Sequence, residues 1–267
     1  MSFSAEWLAL REPVDHAARN CAVIDAIREI FADKKTIRLT DIGSGTGSTI
    51  RALQPVLKNK IEWHLVDYDQ GLLDIASKEA HTGKVTTAFA DLSLSLDAVF
   101  ARGTDFVTTS AFLDLVSEEW LRGFVKAIAA KRLPFYAALS YDGRAGCLPI
   151  HESDEIVLTA FNAHQKTDKG FGPALGPDAA SVAMRCFDEA GYTITSGLSD
   201  WQAGPDHAAF QTMLLDGWRN AAREIRPDLK ADFDEWYTDR LAWIHDRAGS
   251  GASVFVGHVD FLALPGA

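Results

Sequence analysis

Apolar residues recur at helical spacing from Pro13 to about Ala32. Val14, Ala17, Cys21, Ile24, Ile27 and Phe31 fall on one face, and Pro13 suits a first helical position. The pattern predicts one helix over residues 12–32. A short β-branched run, Thr36–Ile42, then reads as a strand, and Gly43-Ser-Gly-Thr-Gly47 breaks it sharply. Ser48–Leu57 reads as a helix opened by that turn. Ile61–Asp67, Val85–Ala90 and Asp105–Ser110 read as the next three strands, with a helix over Gln70–Ala80 between the first two of these. Ser117–Lys131 is a further helix. Trp120, Leu121, Phe124, Val125 and Ile128 form its apolar stripe, Glu118 and Glu119 sit at its positive end, and Lys131 and Arg132 at its negative end. Pro134 stops it, and Phe135–Ser140 is a fifth strand.

The second half is less regular. Residues 141–176 carry no clear period and read as a long loop, the kind that often forms a lid over a site. A helix is expected over Pro177–Ala190 and a sixth strand over Tyr192–Ser196. Helices over about Pro205–Arg226 and Asp228–Arg247 follow, and Ser253–Leu264 is a long last strand. Strands alternating with helices imply βαβ units and a mainly parallel sheet. The expected architecture is a single doubly wound α/β domain over 1–267, with a helical insertion at about 198–250.

Composition narrows the function classes. Nearly half of the 267 residues are apolar, enough for a large core, yet no run approaches the ~20 residues that span a bilayer. The first twenty residues lack a signal-peptide pattern. Cys21, Cys147 and Cys186 are far apart and odd in number, so neither a disulfide framework nor a zinc site is indicated. The expected compartment is the cytoplasm. A formal charge of −11 and the lack of a basic stripe argue against a nucleic-acid partner.

The informative chemistry is Leu39-Thr-Asp-Ile-Gly-Ser-Gly-Thr-Gly-Ser48. Glycines after a first strand let backbone approach a ligand closely, at the carboxyl ends of the strands where open α/β sheets bind ligands. Asp67 closes the second strand, twenty-four residues after Gly43, where a carboxylate can accept from ribose hydroxyls. Two ligands compete. The dinucleotide fingerprint G-x-G-x-x-G needs a third glycine at position 48, which is Ser48. The chain instead has G-x-G-x-G ending at Gly47, with Asp41 two places before the first glycine.

At this point the chain resembles the class I S-adenosylmethionine-dependent methyltransferases. The resemblance rests on Asp41–Gly47, on Leu65-Val-Asp-Tyr-Asp-Gln-Gly-Leu-Leu73, on Ala90-Asp-Leu92 and on Asp105-Phe-Val-Thr-Thr-Ser-Ala-Phe-Leu-Asp114, in order over roughly Pro13–Ser140. It implies a Rossmann-like methyltransferase sheet of seven mostly parallel strands with an antiparallel last strand and helices on both faces. It also implies S-adenosylmethionine as cofactor. Asp41, Gly43, Ser44, Gly45 and Gly47 would hold its methionine end and Asp67 its ribose. Tyr68, Asp91 and Leu92 would border the adenine, and Ser110 would lie near the transferred methyl. No Asn-Pro-Pro-Tyr run follows the fourth strand, and no catechol-type set of metal-binding carboxylates is evident, so no metal is expected. The expected reaction methylates an O, N or C nucleophile of a small molecule. The alternatives are an NAD(P)-dependent oxidoreductase and a non-catalytic S-adenosylmethionine-binding protein.

Methyl transfer needs mainly proximity and orientation, so no residue declares itself catalytic. Asp114 could orient an acceptor, take a proton, or cap the helix beginning near Ser117. His151 and His164 in the expected loop are further candidates. Arg11 and His16 on the first helix are expected at the surface. Trp201, Trp218, Trp236, Tyr237 and Trp243 are expected in the core, and His258 with Asp260 as a structural pair or an exposed strand face.

Overall fold

The computed structural model describes residues 3–79, 84–100, 103–246 and 251–266. Its centre is one sheet. The strands are β1 (Thr36–Ile42), β2 (Lys60–Asp67), β3 (Lys84–Phe89), β4 (Phe106–Ser110), β5 (Phe135–Leu148), β6 (Tyr192–Leu198), β7 (Trp201–Ala203) and β8 (Ser253–Pro265). They lie in the order β3-β2-β1-β4-β5-β8-β6, with β7 also paired to β8. The first five run parallel, and β8 runs antiparallel to β5, β6 and β7. This is the expected doubly wound sheet with an antiparallel last strand. It has eight strands rather than seven, because three-residue β7 escapes any period-two signal.

Helices cover both faces. On one, α2 (Cys21–Ile30), α3 (Ser48–Leu53) and α4 (Gln70–Glu79) send Val23, Ile27, Leu53 and Leu73 into a core with Leu39 and Leu65. On the other, α5 (Glu118–Ala130) and α7 (Ala179–Glu189) bury Leu121, Phe124, Ile128, Ala183 and Phe187 against Val107, Phe135 and Phe261. Burial on both faces explains the near-continuous apolar runs of the central strands. No helix among the described residues is long and apolar enough to cross a membrane.

Three expectations need correction. The single helix over 12–32 is two: α1 (Ala5–Ala18), with Pro13 inside it, and α2. The apolar stripe stays in phase across the break, which conceals it. Asn20 makes the break, because its side chain caps α2 by accepting from Val23 N at 3.1 Å. The helix after the glycine turn stops at Leu53 rather than Leu57. Residues 141–176 are not one loop. β5 continues to Leu148 along β8, with register shifts between Ala137 and Ser140 and between Tyr141 and Ala145. Then α6 (Asp154–Gln165) forms, burying only Val157 and Ala160, too narrow a stripe to announce itself.

The insertion between β7 and β8 holds α8 (Ala208–Ile225) and α9 (Lys230–His245). These helices pack with α6: Phe161 and Trp218 meet at 5.4 Å, and Trp236 Nε1 donates to Asp154 Oδ1 at 2.8 Å. Trp201, Trp218 and Trp236 are buried in this core, as expected, while Tyr237 and Trp243 pack at its edge. Ala80 and Arg247, the expected last residues of two helices, lie outside the described residues.

Candidate functional site

The carboxyl ends of β1 to β4 open into one cleft that is continuous with solvent. The turn after β1 forms its floor. Gly43, Gly45 and Gly47 have φ of +61°, +51° and +83°, the left-handed region that L side chains disfavour. Gly43 is also sterically fixed, since a Cβ there would stand 2.8 Å from Phe112 Cδ2.

Asp67 ties this turn to β2. One carboxylate oxygen accepts from Gly45 N at 2.8 Å and the other from Asp69 N at 3.0 Å. Burial raises its pKa, against the pull of those two N–H groups. The Tyr68 backbone N–H adds a third donor, so of about four lone-pair sites on the carboxylate one is left, and Asp67 lines the cleft. Asp91 follows β3. Its Oδ1 accepts from Ser93 N and Ser93 Oγ at 2.9 and 2.6 Å, so it caps its own loop while lining the cleft. Trp120 Nε1 donates to Leu92 O at 2.6 Å and fastens that loop to α5.

Of the residues that the sequence resemblance implied for a cofactor, Gly43, Ser44, Gly45, Asp67, Tyr68, Asp91, Leu92 and Ser110 all line this cleft. Gly47 does not; its left-handed backbone starts α3. Asp41 does not either. It is buried behind the turn, where Oδ1 accepts from Thr108 Oγ1 at 2.8 Å. Burial pushes its pKa up to about 7, against the Thr108 and Thr49 hydroxyls. A carboxyl with a raised native pKa favours folding when protonated. That stability is therefore lost as pH climbs from about 4, the unfolded value, through 7. The melting temperature of the ligand-free protein is expected to fall by several degrees between pH 5 and 8, and Asp41→Asn to flatten the slope. An equal slope in that variant would contradict the assignment.

The candidate catalytic residues separate. Asp114 does not cap α5; Ser117 does, accepting from Trp120 N at 3.2 Å. Asp114 Oδ1 is buried with no partner among the described residues. Burial pushes its pKa up to about 6, against the field of Arg11 and Lys169, two cations that line the cleft. His151 does not line the cleft. Its Nδ1 accepts from Ser153 N, which leaves Nε2 to donate to Asp239 at 3.2 Å. His164 does not line the cleft but holds Lys169, which does. His16 bonds Ser48.

Further residues complete the cleft lining, and of these Leu8, Asp15 and Leu115 carried no sequence signal as site residues. Leu8, Arg11 and Asp15 come from α1, Phe112 and Leu115 from beyond β4, and Lys169, Gly170 and Phe171 from the loop after α6. Arg11 was expected at the surface; its Nε donates instead to buried Asp15 Oδ2 at 2.8 Å. Asp15 Oδ1 and Ser44 Oγ are buried without partners among the described residues. Two polar atoms of the cleft lining are thus unanswered, as expected of a site that receives a polar ligand. His258 and Asp260 are both buried rather than exposed and do not pair. Asp260 accepts from Tyr136, Leu139 and Asn20, while His258 faces Trp201.

No protein-family model matches the chain and no curated protein matches it. Solved structures do. A putative methyltransferase from Bacillus halodurans C-125 superposes with a TM-score of 0.52 at 11% identity, covering 92% of this chain and 100% of that one. The cyclopropane synthase MmaA2 from Mycobacterium tuberculosis gives 0.51 at 15% identity, covering 98% and 94%. The YcgJ protein from Bacillus subtilis gives 0.50 at 14%, covering 93% and 100%. At these identities the likeness concerns the fold, which is the Rossmann-like methyltransferase fold that the sequence resembles.

Proposed function

We propose that this protein transfers a methyl group from S-adenosylmethionine to a small-molecule acceptor. One observation carries the reading. The glycine turn, Asp67 and Asp91 stand on three successive strand ends and converge on a single cleft, in the order the resemblance requires. The bound cofactor would supply a methyl group on a sulfonium.

The chain's own residues bind and orient. Gly43 to Gly45 would take the methionine end, with Ser44 Oγ answering a polar group and Asp41 bracing the turn from behind. Asp67 would accept from a ribose hydroxyl through its remaining lone-pair site. Tyr68, 46% exposed at the rim, and Leu92 would flank the base, Asp91 would accept from its amino group, and Ser110 would border the sulfur. The acceptor would enter between α1 and the 169–171 loop, beside Arg11, Leu115 and Phe171. Where the acceptor must lose a proton, Asp114 is our candidate to receive it: it is not itself part of the cleft lining, but it stands between the lining residues Phe112 and Leu115 in the chain and in the field of Arg11 and Lys169. The net charge of −11 favours a small molecule over nucleic acid.

Calorimetry with S-adenosylhomocysteine and with NAD tests the reading. Micromolar binding of the first and none of the second is expected; binding of NAD alone would overturn it. A protein that binds S-adenosylhomocysteine but methylates no acceptor would be a binding protein only. With an acceptor in hand, Asp114→Asn should lower kcat by 10²-fold or more at an order-of-magnitude level and leave cofactor affinity unchanged.

A further inference from the structure

Lys169 is a buried cation at the wall of the cleft. Only 8% of it is exposed, yet it lines the cleft beside Gly170 and Phe171. Its Nζ donates to Thr167 Oγ1 at 2.9 Å and to His164 Nδ1 at 3.3 Å. An ammonium has three N–H donors, so these two neutral acceptors leave one. No carboxylate among the described residues makes a salt bridge to it within 4.0 Å.

The lysine is held, not wandering. His164 Nδ1 accepts from it, so the ring proton sits on Nε2 and is donated to Glu224 at 3.1 Å. Asp168 Oδ1 accepts from Gly170 N and Gly172 N at 2.7 and 3.0 Å, which fixes the loop. Burial of a cation without an ion pair is unfavourable, and burial lowers its pKa against the more distant fields of Glu224 and Asp114. Such a group gains most from an anion that a ligand brings. The adjoining cleft wall is apolar: Phe171 and Phe112 meet edge to face at 5.6 Å, and Leu115 lines the cleft with them.

We propose that the methyl acceptor is an amphiphilic anion, with an apolar body against Phe112, Leu115 and Phe171 and a carboxylate or phosphate that takes the third N–H of Lys169. This rests on the methyl-transfer reading and deepens it. The cofactor's own carboxylate is the competing anion. The cation on the side of the glycine turn, however, is Arg11. It shares α1 with Leu8, whose Cδ1 lies 3.2 Å from where a Cβ on Gly45 would be. Lys169 comes instead from the loop after α6, next to Phe171, which packs on Phe112 and Trp120 beyond β4.

The test uses protein saturated with S-adenosylhomocysteine and matched probes: 4-hydroxybenzoate with 4-hydroxybenzamide, phenyl phosphate with phenol, hexanoate with hexanamide. Thermal stabilisation is expected from anionic members only. Lys169→Gln should weaken the stabilising anions at least tenfold by calorimetry, Lys169→Arg should retain them, and both should bind S-adenosylhomocysteine within twofold of wild type. If no anion outperforms its neutral mate on the wild-type protein, the inference falls, whatever the variants do. It also falls if Lys169→Gln binds the anions as well as wild type does. Lost affinity for S-adenosylhomocysteine in Lys169→Gln would assign the lysine to the cofactor and overturn the inference alone. Failure of the wild-type protein to bind S-adenosylhomocysteine would instead overturn the methyl-transfer reading, and this inference with it.

Discussion

Replacing Gly45 by arginine is expected to reduce affinity for S-adenosylhomocysteine at least 100-fold, about 2.7 kcal/mol. Three features add up at this position. Its φ of +51° is left-handed, where a side chain costs roughly 1–2 kcal/mol. Its N–H is the donor that orients Asp67, so a shift of the turn also shifts the carboxylate that would grip the ribose. A Cβ would press on Leu8 at 3.2 Å, and the rest of an arginine would extend into the cleft. Gly45→Ala should fall between the two, because it carries the strain without the long side chain. Calorimetry on both variants reads the effect, with far-UV circular dichroism as the check on folding. Wild-type affinity in a folded Gly45→Arg protein would rule this turn out as the binding site.

The largest loss of stability is expected from Asp260→Ala. Asp260 is fully buried and accepts from Tyr136 OH at 2.9 Å, Leu139 N at 2.8 Å and Asn20 N at 3.1 Å. Arg19, also buried, donates to the Tyr136 oxygen at 3.2 Å and to Ser110 Oγ at 3.4 Å. One carboxylate therefore answers the Arg19 charge, fixes the junction between α1 and α2 and secures Leu139. Leu139 sits in β5 at the register shift with φ +53°, a conformation that costs about 1–3 kcal/mol in a non-glycine residue. Arg19 and Asp260 meet only through the Tyr136 hydroxyl, and each buried donor that loses its acceptor costs roughly 1–3 kcal/mol, so orphaning Tyr136 OH and Leu139 N together costs several kcal/mol. For a protein of this size the melting temperature should fall on the order of 10 °C. Asp260→Asn keeps the shape and one acceptor, so its loss should be smaller. A fall of under about 2 °C in the alanine variant, below what even one such kcal/mol predicts, would mean that Arg19 is neutralised by other groups.

The hub around Asp260 also illustrates why only part of the site could be read in advance. Gly43, Gly45 and Asp67 were legible because close backbone approach and a strand-end carboxylate impose residue types at fixed spacing. Asp114 was legible as a candidate, but its burial was not, since burial depends on what the rest of the chain lays over it. Lys169 was legible only as one polar residue of an expected lid, not as a held cation. It lies in a stretch that reads as loop, and its neighbours Thr167 and His164 gain meaning only once α6 presents them beside Glu224 of α8. The β5 extension was missed because Gly143, Arg144 and Gly146 look like turn residues unless β8 is known to run alongside.

What the sequence determined by itself is local and periodic: the alternation of strands and helices, the glycine turn after β1, the acid closing β2, the apolar stripe of α5. Each follows from interactions within a few residues, so spacing encodes it. The tertiary structure decided everything that depends on meetings across the chain. It divided the first helix at Asn20, set Asp41 behind the turn rather than in the cleft, buried Asp260 under Arg19 and carried Lys169 to the cleft wall. Most of those outcomes depend on desolvation and partner choice between segments far apart in the sequence, 67 residues for Asp41 with Thr108 and 240 for Asp260 with Asn20, whereas the break at Asn20 is a local cap that the in-phase apolar stripe conceals.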